Sequence, residues 1–144
     1  MDGFLIDFRH LLVLIIFFSS GFAQASNSVE GVRSGVYKSG TRFVLDFKEE
    51  INYKVFQNEG LNEIKIVFPS INWKLPKKRF FSRGSIISYE YKSVNKDKSE
   101  LILRTNEEVS ISRSFLLPPL DYKYFRLVFD LLSINSIEKK SKKI

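Results

Sequence analysis

Residues 42–47 read Arg-Phe-Val-Leu-Asp-Phe, and residues 126–131 read Arg-Leu-Val-Phe-Asp-Leu, so one six-residue pattern occurs twice. Successive side chains of a β-strand point to opposite faces of the sheet. If both copies are strands, their purely apolar face points into a core and consists of Phe43, Leu45, Phe47, Leu127, Phe129 and Leu131. Their other face is predicted to point outward and consists of Arg42, Val44, Asp46, Arg126, Val128 and Asp130.

The rest of the chain is also rich in strand signals. Aromatic residues make up 15% of the sequence, and such residues favour half-buried pleated surfaces. Alternating segments bounded by turn-forming residues predict further strands at residues 35–38, 51–56, 63–68, 85–91, 100–105, 109–115 and 124–131. Residues 69–84 contain two prolines and a basic run and are predicted to form an irregular crossover. Helical periodicity is absent beyond the first 25 residues.

The sequence also repeats on a longer scale. Residues 45–51 (LDFKEEI) align with residues 103–109 (LRTNEEV) at an offset of 58, and residues 64–68 (IKIVF) align with residues 125–129 (FRLVF) at an offset of 61. Each half then has one strand with the full Arg/Val/Asp pattern. Two such units could bury their apolar faces against each other at a spacing of roughly 10 Å. The predicted fold is all-β, a sandwich of two related, roughly four-stranded sheets with an internal pseudo-two-fold repeat and one copy of the pattern in each.

Residues 1–25 are predicted to be a secretory signal peptide. The apolar run at residues 11–18 is too short to span a bilayer comfortably, and residues 23–25 (Ala-Gln-Ala) fit the small-x-small cleavage rule. Cleavage is expected after Ala25, with an uncleaved anchor as the alternative, and membrane contact is expected only through this segment. Residues 26–34 are predicted to be a leader and residues 35–134 the β-domain. The lysine-rich residues 135–144 are predicted to be a basic disordered tail or the stump of a linker.

Composition restricts the chemistry of the chain. The net charge of +7 suits an anionic partner such as a wall polymer, lipid headgroups or nucleic acid. The sequence contains no Cys, and its only His, His10, lies in the predicted signal. The mature chain would therefore lack both a thiolate and an imidazole, the most versatile general base and metal ligand. Neither a cofactor nor a metal site is expected, and only carboxylate-based catalysis stays open.

The chain resembles the AMIN domain, the non-catalytic N-terminal module of exported bacterial N-acetylmuramoyl-L-alanine amidases. The likeness spans about residues 32–133 and is carried by residues 32–35 (VRSG), 40–47 (GTRFVLDF), 53–56 (YKVF), 114–119 (SFLLPP) and 126–131 (RLVFDL). It implies a β-sandwich of two related sheets, a periplasmic location, and binding to peptidoglycan that targets an amidase to the division site. The chain departs from the family at Val67, where Asp is usual, and at Glu100 and Arg104, where Arg and Asp are usual.

The resemblance also implies that this chain alone is not an enzyme. The amidases carry a zinc domain with His and Glu ligands, whereas no His follows position 10 here, and zinc hydrolysis needs about three protein ligands. The expected function is that of an exported module that binds peptidoglycan and localises to the cell wall or division site. The alternatives are part of a truncated or split amidase, and a protein-interaction module that binds a cell-wall amidase or division-site proteins in a periplasmic complex. Nucleic acid is not expected as a partner of an exported chain.

The outward-facing members of the two pattern copies are the candidate peptidoglycan-binding residues: Arg42, Val44, Asp46, Arg126, Val128 and Asp130. An arginine can bind a stem-peptide carboxylate through two parallel hydrogen bonds, and an aspartate can accept sugar or amide hydrogens. The alternative is cross-strand ion pairing on a wet sheet face, for which Glu100 and Arg104 supply the opposite charge order. Trp73, in the crossover, is the candidate for stacking on a sugar ring, with packing in the core as its alternative.

Overall fold

The computed structural model describes residues 26–58 and 60–143. The predicted signal peptide and its cleavage after Ala25 lie outside the described residues. Within them, the chain is largely all-β, as predicted, with ten strands and one short helix. The strands are β1 (Ser28–Tyr37), β2 (Gly40–Phe47), β3 (Lys54–Gln57), β4 (Glu63–Pro69), β5 (Asn72–Trp73), β6 (Lys78–Phe80), β7 (Ile86–Asn95), β8 (Lys98–Thr105), β9 (Val109–Leu117) and β10 (Phe125–Ser133). The helix is α1 (Ile134–Ser141).

The strands form two sheets of five strands each. Sheet A has the order β5-β1-β2-β10-β9, and sheet B has the order β3-β4-β8-β7-β6. The two copies of the Arg/Val/Asp pattern lie in β2 and β10, which are antiparallel neighbours in sheet A. The expectation that each sheet holds one copy is therefore wrong. Each sheet also has five strands instead of about four, because β5 and β6 form within the segment predicted to be an irregular crossover.

Alternation along the two pattern strands agrees with the sequence prediction on the core side. Phe43, Leu45 and Phe47 of β2 are completely buried, and their counterparts Leu127, Phe129 and Leu131 of β10 are at most 1% exposed. Burial of such side chains is the main favourable contribution to folding, at about 1.5–3 kcal/mol each. The apolar side chains at every second position of β2 and β10 therefore determine which face of sheet A points inward.

Apolar side chains of both sheets share one hydrophobic cluster. Phe47 of sheet A meets Phe68 of sheet B edge to face, with ring centroids 5.5 Å apart. Phe129 of sheet A meets Tyr53, which precedes β3, at 5.8 Å. Edge-to-face pairs at these distances add to the burial of their rings, so they help to hold the two sheets together.

Two predicted boundaries differ from the structure. The segment predicted as a leader, residues 26–34, is mostly part of β1, where the completely buried Val29 pairs with Phe47 and with Trp73. The polar residues of this segment gave only a weak strand signal, and the strand is stabilised by its pairing with β2 along most of its length and with β5 at its start.

The predicted disordered tail is helical over Ile134–Ser141. None of the residues of α1 is buried, so the helix follows the sheet without adding to the core. Eight residues are too few for a strong periodic signal, which is why the sequence did not indicate a helix. Across the described parts of the chain, no helix has the length and apolar character needed to cross a membrane.

Candidate binding groove on sheet A

The register of β2 against β10 sets the charges of the two pattern copies opposite one another. Arg42 pairs across the strands with Asp130, Val44 with Val128, and Asp46 with Arg126. Two antiparallel copies of Arg-x-Val-x-Asp give this result whenever the two valines are in register. Cross-strand pairing of unlike charges thus follows from the pattern itself, without the help of Glu100 or Arg104 in sheet B.

At one end of the pattern, Arg42 and Asp130 form a two-pronged ion pair. Arg42 donates to the two carboxylate oxygens of Asp130 from Nε at 2.6 Å and from Nη2 at 2.8 Å. These hydrogen bonds lower the pKa of Asp130 and raise the pKa of Arg42. The guanidinium also lies over the ring of Tyr37, 3.5 Å from its centroid. Arg42 is therefore fixed in place by its neighbours.

The other end of the pattern is built differently. Asp46 accepts a hydrogen bond of 2.7 Å from Nη2 of Arg33 in β1. The side chain of Asp46 is only 6% exposed, and burial raises its pKa despite the opposing effect of Arg33 and, less strongly, of Arg126. Gly31 makes this burial possible, because a Cβ there would lie 2.5 Å from Oδ2 of Asp46.

Arg126 is left without an ion pair among the described residues, although it faces Asp46 across the strands. Its Nε is buried and has no hydrogen-bond acceptor within the described part of the chain. Its guanidinium lies 4.9 Å from the ring centroid of Tyr122, and the guanidinium of Arg33 lies 5.6 Å from the same centroid. Two positive groups thus converge on one aromatic ring at the rim of sheet A.

These side chains surround an open groove of about 370 Å³ on the outer face of sheet A. We call it the arginine groove, and its lining residues are Arg33, Ser34, Gly35, Val36, Tyr37, Arg42, Val44, Leu117, Arg126 and Val128. Val44 and Val128, which are cross-strand partners, are among its apolar lining residues, although Val128 is only 3% exposed. A Cβ at Gly35 would have no atom within 4 Å, so the absence of a side chain there keeps the groove open.

The predicted binding residues only partly come together. Arg42, Val44, Arg126 and Val128 line the arginine groove, whereas Asp46 and Asp130 do not. An outward position was expected for Val128 and for both aspartates, but Val128 is 3% exposed, Asp46 5% and Asp130 8%. Val128 therefore reaches the groove with little of its surface. The aspartates are buried because neighbouring guanidiniums cover and bind the two carboxylates, so that their oxygens are engaged within the protein.

Trp73 lies away from the arginine groove, at the β5 edge of sheet A. Its ring stacks on Tyr91 with centroids 4.5 Å apart and an angle of 7° between the planes. Its indole N–H donates to the carbonyl oxygen of Pro76 at 3.1 Å. One face of the ring and its N–H group therefore contact other parts of the protein. This agrees better with packing of Trp73 within the protein than with stacking on a sugar.

The sequence-based set of site residues lacked six lining residues, and three of them, Arg33, Gly35 and Tyr37, share one feature. All three lie on the same face of β1, at every second position, beside Val44 and Arg42 of β2. The alternation of residues 31–37 is the signal that could have revealed them. It was missed because this stretch was divided between a leader and a short strand.

The chemistry of the arginine groove is that of a hydrogen-bond donor site. Arg33, Arg42 and Arg126 line it, Arg113 lies beside Asp130 in β9, and no carboxylate is among the described residues that line the groove. A guanidinium donates hydrogen bonds and accepts none. The described residues contain no group of three or more His, Cys, Asp or Glu side chains that could hold a metal ion.

Comparison with protein-family models found no family that matches this chain, and comparison with curated proteins found no match either.

Proposed function

We propose that this chain is an exported, non-catalytic binding module that docks on peptidoglycan through the arginine groove. The observation that carries the proposal is the excess of guanidiniums over carboxylates around an open, apolar-floored groove. Peptidoglycan is a polyanion with exposed carboxylates, and a positive concave surface favours such a ligand. The protein is proposed to act in the periplasm after cleavage at Ala25.

We also propose that the chain is an AMIN-like domain, a proposal that rests on the sequence resemblance and is compatible with a largely all-β fold of two five-stranded sheets. We infer that the two sheets are the layers of one sandwich, because side chains of both enter the same hydrophobic cluster. The strand bounds also repeat. β1 and β7 begin 58 residues apart, as do β2 and β8. Read from the β6 end, sheet B has the order β6-β7-β8-β4-β3, which parallels β5-β1-β2-β10-β9 in sheet A. A pseudo-two-fold repeat accounts for this order if the two halves of the chain exchange strand pairs, so that β3 and β4 join β7 and β8 in sheet B while β9 and β10 join β1 and β2 in sheet A.

A sacculus pull-down tests the proposed function. The mature protein (residues 26–144) is expected to sediment with purified sacculi at low salt. Arg126→Gln is expected to weaken binding about tenfold, since a charge-assisted, two-pronged contact is lost. The matched control is Arg104→Gln, which removes the same charge from β8, where Arg104 is half exposed and paired with Glu63. Protein that stays in the supernatant would contradict the proposal, as would equal losses for both variants.

A second candidate function, a protein-interaction module, is favoured by the edge of sheet A. β9 is an edge strand of nine residues, whereas the other edge strands, β3, β5 and β6, have four, two and three. A long edge strand can accept a strand from a partner. Binding to a purified cell-wall amidase or division-site protein but not to sacculi, with loss of binding in Ser112→Pro, would select this function.

A further inference from the structure

We propose that the arginine groove recognises carboxylates of the peptide stems of peptidoglycan and not its glycan strands. This inference rests on the proposed function and identifies the ligand of the same groove. It depends on three properties of the described residues: the imbalance of donors and acceptors, the unpaired state of Arg126, and the occupation of the aromatic rings by guanidiniums.

The first property is the imbalance of hydrogen-bonding groups. Sugar hydroxyls both donate and accept hydrogen bonds, so a site that satisfies them needs free acceptors such as carboxylates or amides as well as donors. Here Asp46 and Asp130 already accept hydrogen bonds from Arg33 and Arg42 and are shielded from the groove. The charged groups that line the groove are all guanidiniums. A ligand that only accepts hydrogen bonds, such as a carboxylate, complements such a surface.

The second property is the state of Arg126. Arg42 has its own carboxylate, but Arg126 has none within ion-pairing distance among the described residues, and its buried Nε has no acceptor there. A buried donor without an acceptor is costly. A carboxylate that enters beside Leu117 would neutralise this guanidinium. Arg33, half exposed and directed at the same tyrosine ring, could contact the ligand from the other side.

The third property is that the aromatic rings near the groove are engaged by cations. Arg42 covers Tyr37 at 3.5 Å, Arg113 lies 4.8 Å from the centroid of Phe115, and Tyr122 has the two guanidiniums described above. Trp73 is stacked on Tyr91 elsewhere in sheet A. Sugar stacking requires an available ring face, and a ring that already holds a guanidinium is a poor platform for it.

The floor of the arginine groove suits a small, extended peptide. The half-buried Val44 presents methyl groups, and the space over Gly35 admits a main chain or a methyl side chain close to the sheet. A stem peptide rich in alanine-sized side chains and ending in a carboxylate could place its methyl groups on Val44. Its carboxylate could then reach Arg126.

The test uses isolated wall fragments and isothermal titration calorimetry on the mature protein. The probes are a stem tetrapeptide, the same peptide with its carboxylates converted to carboxamides, an uncharged N-acetylglucosamine oligomer, and peptide-free glycan strands with their free lactyl carboxylates. The stem peptide is expected to bind, and the carboxamide form and the uncharged oligomer are expected to bind at least about tenfold more weakly. Arg126→Gln should reduce affinity for the stem peptide, whereas Arg104→Gln should not.

The outcomes separate this inference from the proposed function. If wild-type protein binds sacculi and carboxamide-modified sacculi equally well, peptidoglycan docking holds and carboxylate recognition fails. If the peptide-free strands bind as tightly as the stem peptide, the carboxylate chemistry holds but the assignment to the stem is overturned. If intact sacculi are not bound at all, the proposed function fails whatever the isolated peptide does.

Discussion

Arg42 and Arg126 have the same place in the repeated pattern but different surroundings. Arg42 makes a two-pronged ion pair and covers a tyrosine ring, whereas Arg126 faces a carboxylate that Arg33 has already bound. A two-pronged pair between largely buried side chains stabilises the fold. A guanidinium without an ion pair is available to a ligand. Equivalent positions in the sequence have therefore become one structural arginine and one candidate binding arginine.

The two aspartates should differ in their contribution to stability. Asp130→Asn is expected to lower the free energy of unfolding by about 1–3 kcal/mol, because the side chain is mostly buried and loses a charge-assisted pair with Arg42. Asp46→Asn should cost less, since burial already disfavours the charge of Asp46. Urea denaturation at neutral pH measures both. Equal losses of stability for the two variants would show that the ion pair with Arg42 adds no stability beyond that of the contacts of Asp46.

Asp130 and Asp46 are expected to protonate at different pH values. The pKa of Asp130 lies below its ordinary value of 3.8, so the stability from its ion pair is lost as the pH falls through that lowered pKa. The pKa of Asp46 lies above 3.8, so its contribution is present at low pH and is lost as the pH rises through the raised pKa. Carboxyl-carbon NMR should show Asp46 protonating first on acidification. Protonation of Asp130 first would contradict this assignment.

At the scale of the element, the pairing of β2 with β10 is the feature on which the candidate site depends. Leu131 of β10 pairs with Thr41, next to Gly40, which begins β2. A Cβ at Gly40 would collide with the main-chain oxygen of Leu131. Glycine at this position therefore allows the two pattern strands to approach each other closely over their full length.

Gly40→Ala is expected to destabilise the protein by about 1–3 kcal/mol, because main-chain atoms cannot move aside as a flexible side chain can. The matched control is Gly35→Ala, where the added methyl group meets no atom within 4 Å. The control should stay within about 0.5 kcal/mol of the wild type. Thermal denaturation compares the two, and a loss of stability in Gly35→Ala equal to that in Gly40→Ala would be inconsistent with the predicted collision.

At the scale of the whole molecule, the aromatic side chains between the sheets carry the packing. Phe47→Ala is expected to cost about 3–5 kcal/mol, since it leaves a cavity beside Phe68 in the shared cluster. Phe80→Ala is the control, because Phe80 is 71% exposed and its loss should matter by about 0.5 kcal/mol or less. Guanidinium denaturation gives both values. Similar values for the two variants would mean that Phe47 does not connect the sheets.

The sequence alone was sufficient to predict the strands of the pattern and the face that each buries. Phe43, Leu45 and Phe47 alternate with Arg42, Val44 and Asp46, and alternation is a local property of an extended chain. The same reasoning gave Arg42, Val44, Arg126 and Val128 an outer face, but it divided them between two sheets, whereas the structure brings all four to one groove. It missed Arg33 and Gly35, whose strand has a weaker local signal, and it did not indicate the short helix α1.

Only the tertiary structure decided which strands are neighbours. Arg42 and Asp130 are 88 residues apart in the chain, and no local pattern specifies that they meet in one sheet. Their pairing buries the two aspartates under guanidiniums and leaves Arg126 without a carboxylate of its own among the described residues. Alternation sets the side on which a residue lies because it follows from backbone geometry. The partner that the residue meets depends on the packing of the whole chain.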